Sequence, residues 1–378
     1  MEPEGFNQVA GIVSISSKGV YYTFNPNFLP SKIKFDEPLI AILSEASMNL
    51  GNLNGLGFLL SNPHIFIMPY LKKEAVWSSR IEGTRTSLSE VFLFEAKDEK
   101  EMDFDLQEVI NHINATEHGL KKIKTQELNL ELILELHKIL LKGVRGEQKE
   151  PGQIRTTQNW IGNRDSSIND ATFVPPEPEK VKALLENLFA YLNAEDNTPP
   201  LIKIGIAHYQ FEAIHPFRDG NGRIGRLLIT LYLCKKNILP LPLLYISGYF
   251  EKNRDAYYDL LLDMSKKGNY SDWLKFFLKA VIAQSKDAIE RAAKLEKYSK
   301  ECKEKLLEKS STNALKIFES LLGNPYITIP NAKKILEKEY PTAKRAIQKL
   351  TEVGILKEIT GKKRNTVFVA EKIRQILE

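Results

Sequence analysis

Apolar residues recur at helical spacing along most of this chain, and β-prone stretches are few and short. A first helix-like run, EPLIAILSEASMNL, is set in 65 residues that are otherwise mixed and rich in Pro and Asn. MPYLKKEAVWSSRIEGT then reads as a helix ending near Gly83, a residue suited to the left-handed position after a helix. Ser87 and Glu90 have capping-box spacing and predict that a second helix starts at once. The pattern continues through FDLQEVINHINATEHGLKKI and LNLELILELHKILLKG. PGQIRTTQNWIGNRDSSINDATFVPPEPEK breaks it: turn formers dominate, with β-prone residues at either end, and a loop or hairpin of this length is more often functional than idle. Helix resumes with VKALLENLFAYLN and PPLIKIGIAHYQFEAI, where two prolines mark a start. It runs on through RLLITLYLCKKN and LPLLYISGYFEKNRDAYYDLLLDMSKK to YSDWLKFFLKAVIAQSKDAIERAAKLEKYSKECKEKLLEK, whose charged end has few apolar positions and suits a connector.

Beyond residue 310 the elements shorten. TNALKIFESLL, IPNAKKILEKEY and PTAKRAIQKLTEVGILKEI predict three short helices, and GKKRNTVFVA a turn between β-prone segments, the order of a winged helix-turn-helix. Lys344, Arg345 and Lys349 would face outward on the second helix of the pair, and Lys362, Lys363 and Arg364 would form the wing tip. Charge sharpens this: from Lys303 onward 16 Lys and Arg face 9 Asp and Glu, although the whole chain carries only +5. A solvated basic face on a small docking domain and a nucleic-acid-binding module both account for that surplus.

At 378 residues and 43% hydrophobic, the chain can bury more than one core. Cys234 and Cys302 lie far apart with no C-x-x-C spacing, so neither a disulfide framework nor a cysteine zinc site is indicated, and a reducing compartment is the simplest expectation. The amino terminus lacks a basic region followed by an apolar one, and no uninterrupted apolar stretch approaches the roughly 18 residues of a membrane span. A cytoplasmic protein with no membrane partner is expected.

Chemistry concentrates in HPFRDGNGRIGR, residues 215–226. Gly220, Gly222 and Gly225 satisfy G-x-G-x-x-G, but a helix precedes them and LLYIS occupies the region where a dinucleotide site needs an acidic residue, so that assignment fails. No G-x-x-x-x-G-K-[ST] loop occurs either. If one helix ends at HYQFEAI and the next begins at GRIGRLLITLYL, the amides of Gly220, Asn221 and Gly222 open at a helix amino terminus and form an anion cradle. Arg223 and Arg226, three residues apart, add two charged forks that would oppose the helix dipole unless an anion offsets them. Asp219 at the mouth has the chemistry to hold a magnesium ion, and equally that of a helix cap. His215 can act as a general base toward a hydroxyl. Phe217 is expected to anchor the loop, and His112 and His137 to be structural.

These twelve residues resemble the signature of the Fic (filamentation induced by cAMP) family, HPFx(D/E)GNGRxxR, with no position departing from it. The resemblance covers roughly residues 120–280, because PGQIRTTQNWIG, FVPPEPEKV and LLYISGYFEKNRDAYYDLL are similar to the family's pre-motif loop, flap and post-motif helix. It implies an all-α fold with a short β-hairpin flap. The implied activity is a protein adenylyltransferase that moves AMP from ATP, with Mg2+, onto a Ser, Thr or Tyr hydroxyl of a target protein. Carried over by position, His215 is the base, Asp219 binds the metal, and Gly220, Asn221 and Gly222 cradle the α- and β-phosphates. Arg223, Ile224, Gly225 and Arg226 continue the nucleotide site, with Arg226 nearest the γ-phosphate. Tyr249, Lys252 and Tyr258 fall where the family contacts the nucleoside. Thr172, Phe173 and Val174 are the flap that would pair with the target's backbone.

Ser78-Ser79-Arg80-Ile81-Glu82-Gly83 resembles the family's inhibitory motif, (S/T)xxxE(G/N). The resemblance implies that Ser78, Glu82 and Gly83 form an inhibitory helix end whose glutamate pairs with Arg226 and blocks productive ATP binding. The expected domains are an N-terminal region with the inhibitory helix (1–115), a Fic catalytic domain (116–290), a helical connector (291–310) and a winged-helix-like domain (311–378). A target protein, DNA through residues 311–378, and a second copy of the chain are the partners this organisation allows. Three other uses of the site stay open: removal of AMP, transfer of another nucleotide or of phosphocholine, and nucleotide sensing by a transcription regulator that acts through its tail.

Overall fold

In the computed structural model, residues 1–30, 33–59, 64–97, 101–162, 167–308, 311–361 and 366–378 are described, and among them helix dominates. The chain opens with an antiparallel hairpin, β1 (Gly11–Ile15) and β2 (Tyr22–Pro26), in a region expected to be irregular. Phe24 of β2 is buried, and its amide donates to the Val174 carbonyl at 2.8 Å, so the hairpin is fastened to the long loop rather than standing alone. Helix α1 (Glu37–Leu59) runs past the predicted segment, and α2 (His64–Ile81) starts a turn earlier than predicted. Pro69, the sixth residue of α2, forgoes the one helical bond its N–H would make to the Ile65 carbonyl.

Ser87 and Glu90 make the predicted capping box before α3 (Leu88–Lys97): the Ser87 amide donates to Glu90 Oε2 at 2.6 Å and the Glu90 amide to Ser87 Oγ at 3.2 Å. Then come α4 (Phe104–Lys122), α5 (Leu130–Leu140), α6 (Pro178–Asn193), α7 (Pro200–Ile214) and α8 (Asn221–Lys235). α7 is apolar on nearly every side and is buried on nearly every side, packed by α6, α8 and the two helices of residues 254–267 and 270–308. Gly205 permits this, since a Cβ there would lie 3.0 Å from Leu274 and 3.2 Å from Phe277. After α9 (Ser247–Lys252) and α10 (Arg254–Lys267), α11 runs unbroken from Tyr270 to Glu308.

α11 includes the described part of the expected helical connector. Residues 291–308 continue the same helix, and Ala292, Leu295, Cys302 and Leu306 are buried along one side. The apolar positions are few but fall on a single face, so the segment packs instead of hanging free. The expected boundary at 115/116 also falls inside a helix, α4.

The remainder is α12 (Thr312–Leu321), β3 (Tyr326–Thr328), α13 (Ile329–Leu336), α14 (Tyr340–Glu352), β4 (Lys357–Glu358), β5 (Val367–Val369) and α15 (Glu371–Leu377). The three predicted helices are present; β3 and α15 are additions. The strands form an antiparallel sheet in the order β3-β5-β4. Lys344 and Arg345 are exposed and Lys349 half-buried, while Lys362, Lys363 and Arg364 lie outside the described residues. This region is docked on the amino-terminal helices. Lys73 of α2 donates to the Leu377 carbonyl at 3.1 Å, Asn324 donates to the Phe92 carbonyl at 3.0 Å, and Thr328 Oγ1 donates to the Ala96 carbonyl at 3.1 Å.

Candidate active site

The loop joining α7 to α8 begins with a residue in a costly conformation. His215 closes α7 at φ 48° and ψ 61°, the left-handed region, which costs a non-glycine residue about 1–2 kcal/mol. Neighbours over-determine it. Arg155, buried in the pre-motif loop, donates from Nε to the His215 carbonyl at 2.9 Å and from Nη2 to Pro176 at 2.5 Å, and its amide donates to the Pro216 carbonyl at 3.0 Å. Asn159 Nδ2 donates to the Phe217 carbonyl at 2.9 Å. Asn221, the first residue of α8, closes the loop with two bonds to one residue, accepting from the Phe217 amide and donating to the Phe217 carbonyl, both at 2.8 Å.

The left-handed turn brings the His215 ring back along α7, so that Nδ1 lies 3.2 Å from the Glu212 carbonyl. A carbonyl only accepts, so Nδ1 carries the proton and Nε2 the lone pair. Burial, opposed by the Glu212 bond, pulls the imidazole pKa down to about 4, so the ring is neutral at physiological pH. Phe217 is fully buried, as expected, and stacks on His137 with centroids 3.8 Å apart.

Gly220 caps α8 at φ 77°, so the amides that follow open toward the loop as a helix amino terminus. Asp219, half-exposed just before it, is not the cap; its Oδ1 lies 3.3 Å from Arg223 Nη2. One hard oxygen donor beside amides that favour phosphate suits Mg2+, which keeps waters and takes one or two carboxylates together with substrate phosphates. Among the described residues no cluster of three His, Cys, Asp or Glu could hold a metal by itself. Asp219 thus fits a metal that arrives with its phosphates.

The two arginines are buried, not splayed toward solvent. Arg223 is 3.4 Å from Glu108, which also accepts from Thr84 Oγ1 at 3.0 Å. Arg226 donates to Ser78 Oγ at 3.0 Å, to the Ser78 carbonyl at 2.9 Å and to Glu82 Oε1 at 2.6 Å. Helix α2 presents Glu82 through its own ending: the Thr84 amide donates to the Ser79 carbonyl and the Gly83 amide to the Arg80 carbonyl, a Schellman motif that makes Glu82 the C-cap and Gly83, at φ 100°, the left-handed residue. A carboxylate at a helix carboxy terminus opposes the dipole, and Arg226 offsets it. Burial would push the Glu82 carboxyl up, yet the Arg226 charge and hydrogen bond outweigh it and hold the group below its ordinary range. A Cβ on Gly222 would collide with Glu82 Oε1, so the carboxylate lies directly against the first turn of α8, inside the anion cradle.

Ile224 is buried and Gly225 packs against Glu212 and Phe211, so both shape the helix wall. The residues expected at the nucleoside differ in their placement. Tyr249 is half-buried, edge-on to Phe276 at 5.4 Å, and Lys252 is exposed; the tyrosines that bear on the Arg226 charge are Tyr257 and Tyr258. The flap residues sit at the other end of the long loop. Among the described residues the flap is a single antiparallel bridge, Ile161 to Phe173, and it buries Phe173 and Val174 while Thr172 stays exposed. The Val174 carbonyl is already taken by Phe24.

Arg155, Asn159, Glu108 and Glu212 escaped the sequence-based site. For Glu108 a signal existed: with Asn111, His112 and Thr116 it forms a polar row at helical spacing on the buried face of α4, which apolar packing alone does not call for.

Comparison with known proteins bears on this geometry. The Fic/DOC family matches residues 127–233, and the Fic/DOC family N-terminal region matches residues 40–121, together half of the 378 residues. The chain belongs to the Fic/DOC family. The Fic site therefore joins both matched regions, with Glu82 from one and residues 215–226 from the other. The chain is 35% identical over 119 residues to protein adenylyltransferase fic-1 of Caenorhabditis elegans, covering 31% of this chain and 21% of that protein. It is 30% identical over 207 residues to protein adenylyltransferase Fic of Culex quinquefasciatus, covering 52% of this chain and 37% of that one. The chain thus spans well under half the length of these curated relatives. Among solved structures, a Fic family protein from Desulfovibrio desulfuricans G20 superposes with a TM-score of 0.60 at 19% identity, covering 90% of this chain and 98% of that one. Fic-1 (aa134–508) from C. elegans superposes at 0.52 and 24% identity, covering 69% and 75%. These likenesses establish the Fic fold. Among the described residues no helix is long and apolar enough to cross a membrane.

Proposed function

We propose that this Fic protein is a protein adenylyltransferase held in check by Glu82. The carrying observation is the His215 imidazole: its Nδ1 proton is spent on the Glu212 carbonyl, so a neutral Nε2 is left to act as base beside an anion cradle. In this reading Nε2 takes the proton of a Ser, Thr or Tyr hydroxyl on a target protein, the oxygen bonds to Pα of ATP, and the bond to pyrophosphate breaks. The amides of Gly220, Asn221 and Gly222 with Arg223 and Arg226 hold the phosphates, provided that Glu82 leaves the first turn of α8. Asp219 would hold Mg2+, which neutralises phosphate charge when bound. A base is what transfer requires and what a nucleotide sensor lacks a use for. Radiolabelled AMP incorporation tests the proposal: Glu82→Gly gains label, Glu82→Gly/His215→Ala does not, and a mass increment other than AMP on the product would point to another transferred group.

The same proposal takes residues 311–378 as a winged-helix-like module with DNA as its partner, supported by exposed Lys344 and Arg345 on α14. A homodimer is carried over from the family resemblance. The cytoplasmic setting is supported by Cys234 and Cys302, both free thiols whose pKa burial raises. Binding of the full chain to duplex DNA should weaken steeply with salt.

A further inference from the structure

We infer that His137, on α5 and 82 residues before Asp219, is a positioning residue that sets where the Asp219 carboxylate stands. The inference rests on the adenylyl-transfer reading, in which Asp219 meets the phosphates through a metal. One imidazole touches the motif three ways. Its Nε2 is 2.9 Å from the Asp219 carbonyl, its face stacks 3.8 Å from Phe217 at 8°, and its edge closes on Gly220, where an added Cβ would lie 3.6 Å away. Across the ring, Nδ1 accepts from the Gly152 amide at 2.8 Å. Because an amide only donates and a carbonyl only accepts, both ring nitrogens are assigned: Nδ1 bears the lone pair and Nε2–H points at Asp219.

The anchor at Gly152 is itself closely packed. Gly152 adopts φ 77° and is pressed on α5, where a Cβ would fall 3.1 Å from both the Leu134 carbonyl and Lys138. His137 therefore ties the backbone of Asp219 to both helix α5 and the pre-motif loop. From the far side Gly146 approaches the carboxylate, leaving 2.8 Å between Asp219 Oδ2 and an added Cβ. The Asp219 side chain has two flexible dihedrals, so its backbone position and these walls decide where its oxygens fall. Groups that hold a metal-binding residue in place commonly cost about 10–100-fold in affinity or activity when removed.

A pair of near-isosteric substitutions separates positioning from mere packing. Gln at position 137 can keep a donor where Nε2 stands, and Asn can keep an acceptor where Nδ1 stands but cannot reach Asp219. In full-length Glu82→Gly protein, His137→Asn should lower kcat/KM for AMP transfer by about tenfold or more, and His137→Gln by only a few-fold. In full-length Glu82→Gly/His215→Ala protein, calorimetry of ATP binding with Mg2+ and with EDTA gives a readout free of turnover. His137→Asn should shrink the Mg2+-dependent gain in affinity about tenfold and leave the EDTA value unchanged. Equal behaviour of the Asn and Gln variants in both measurements overturns the inference, as does an equal loss with EDTA. If Glu82→Gly itself incorporates no AMP, adenylyl transfer is what fails, and the calorimetric comparison still decides what His137 does.

Discussion

Glu82 and Arg226 are 144 residues apart in the chain, and their side chains meet at 2.6 Å. The bond joins the C-cap of α2 to the second turn of α8, and its carboxylate lies against Gly222, where the helix amides would receive an anion. Replacing Glu82 by Gly should raise AMP incorporation by an order of magnitude or more, as it frees both the guanidinium and the cradle. Adding His215→Ala should return it to background. An unchanged rate for Glu82→Gly in a labelled-ATP assay would remove the inhibitory role.

Gly83 should matter through conformation alone. Its φ of 100° is unfavourable for any side chain, and a Cβ there would meet nothing within 4 Å. Gly83→Ala should therefore cost about 1 kcal/mol in chemical denaturation and, by loosening the end of α2, raise AMP incorporation part of the way toward the Glu82→Gly level. Full inhibition in a destabilised Gly83→Ala protein would show that the Schellman motif does not set the carboxylate.

The acidic limb of the pH profile should sit low. An ordinary histidine base would lose activity below about pH 6.5. His215 has its pKa drawn down to about 4, chiefly by burial, and Glu82 is among the groups that raise it. In Glu82→Gly protein, kcat/KM should stay level from about pH 7.5 to 5.5, with half of it lost only near pH 4 or below, because kcat/KM reports the free enzyme's base. A midpoint near 6.5 would mean that His215 is solvated when the enzyme is free.

Arg155 should behave as a structural prerequisite of the base. It serves the carbonyls of His215, Pro176 and Ile214, and its loss would strand them around a left-handed histidine. Arg155→Ala should cost about 3 kcal/mol in urea unfolding, and Arg155→Lys should retain the charge but not the planar fork, lowering kcat far more than it raises KM. Wild-type kcat in the Lys variant would show that one bond suffices.

Local signals carried the sequence reading far. The glycines and Asn221 of residues 215–226, the capping box at Ser87 and Glu90, and the helix end at Gly83 each leave a residue-level trace, and the loop and helix starts fall where those traces put them. What escaped depends on pairing across the chain. The β1-β2 hairpin has too few alternating residues to announce itself, and it gains burial only once Phe24 meets Phe173 at 5.5 Å. Glu108 and His137 look like ordinary members of amphipathic helices until α4 and α5 are brought against α8. Tyr257 carries no such trace, because helix phase near a short break such as 252–254 is not readable to one residue.

Helix α11 carries a mechanical consequence. Thirty-nine residues at about 1.5 Å each make a spar about 58 Å long, unbroken from Tyr270 to Glu308. Lengthening that spar by a single residue after Leu295 would turn the rest of the helix by about 100°, carry Cys302 and Leu306 off the buried side and strain the Asn324 and Thr328 bonds to α3. The distal module is thus held at a set bearing to the nucleotide corner, like a tool on a fixed shaft.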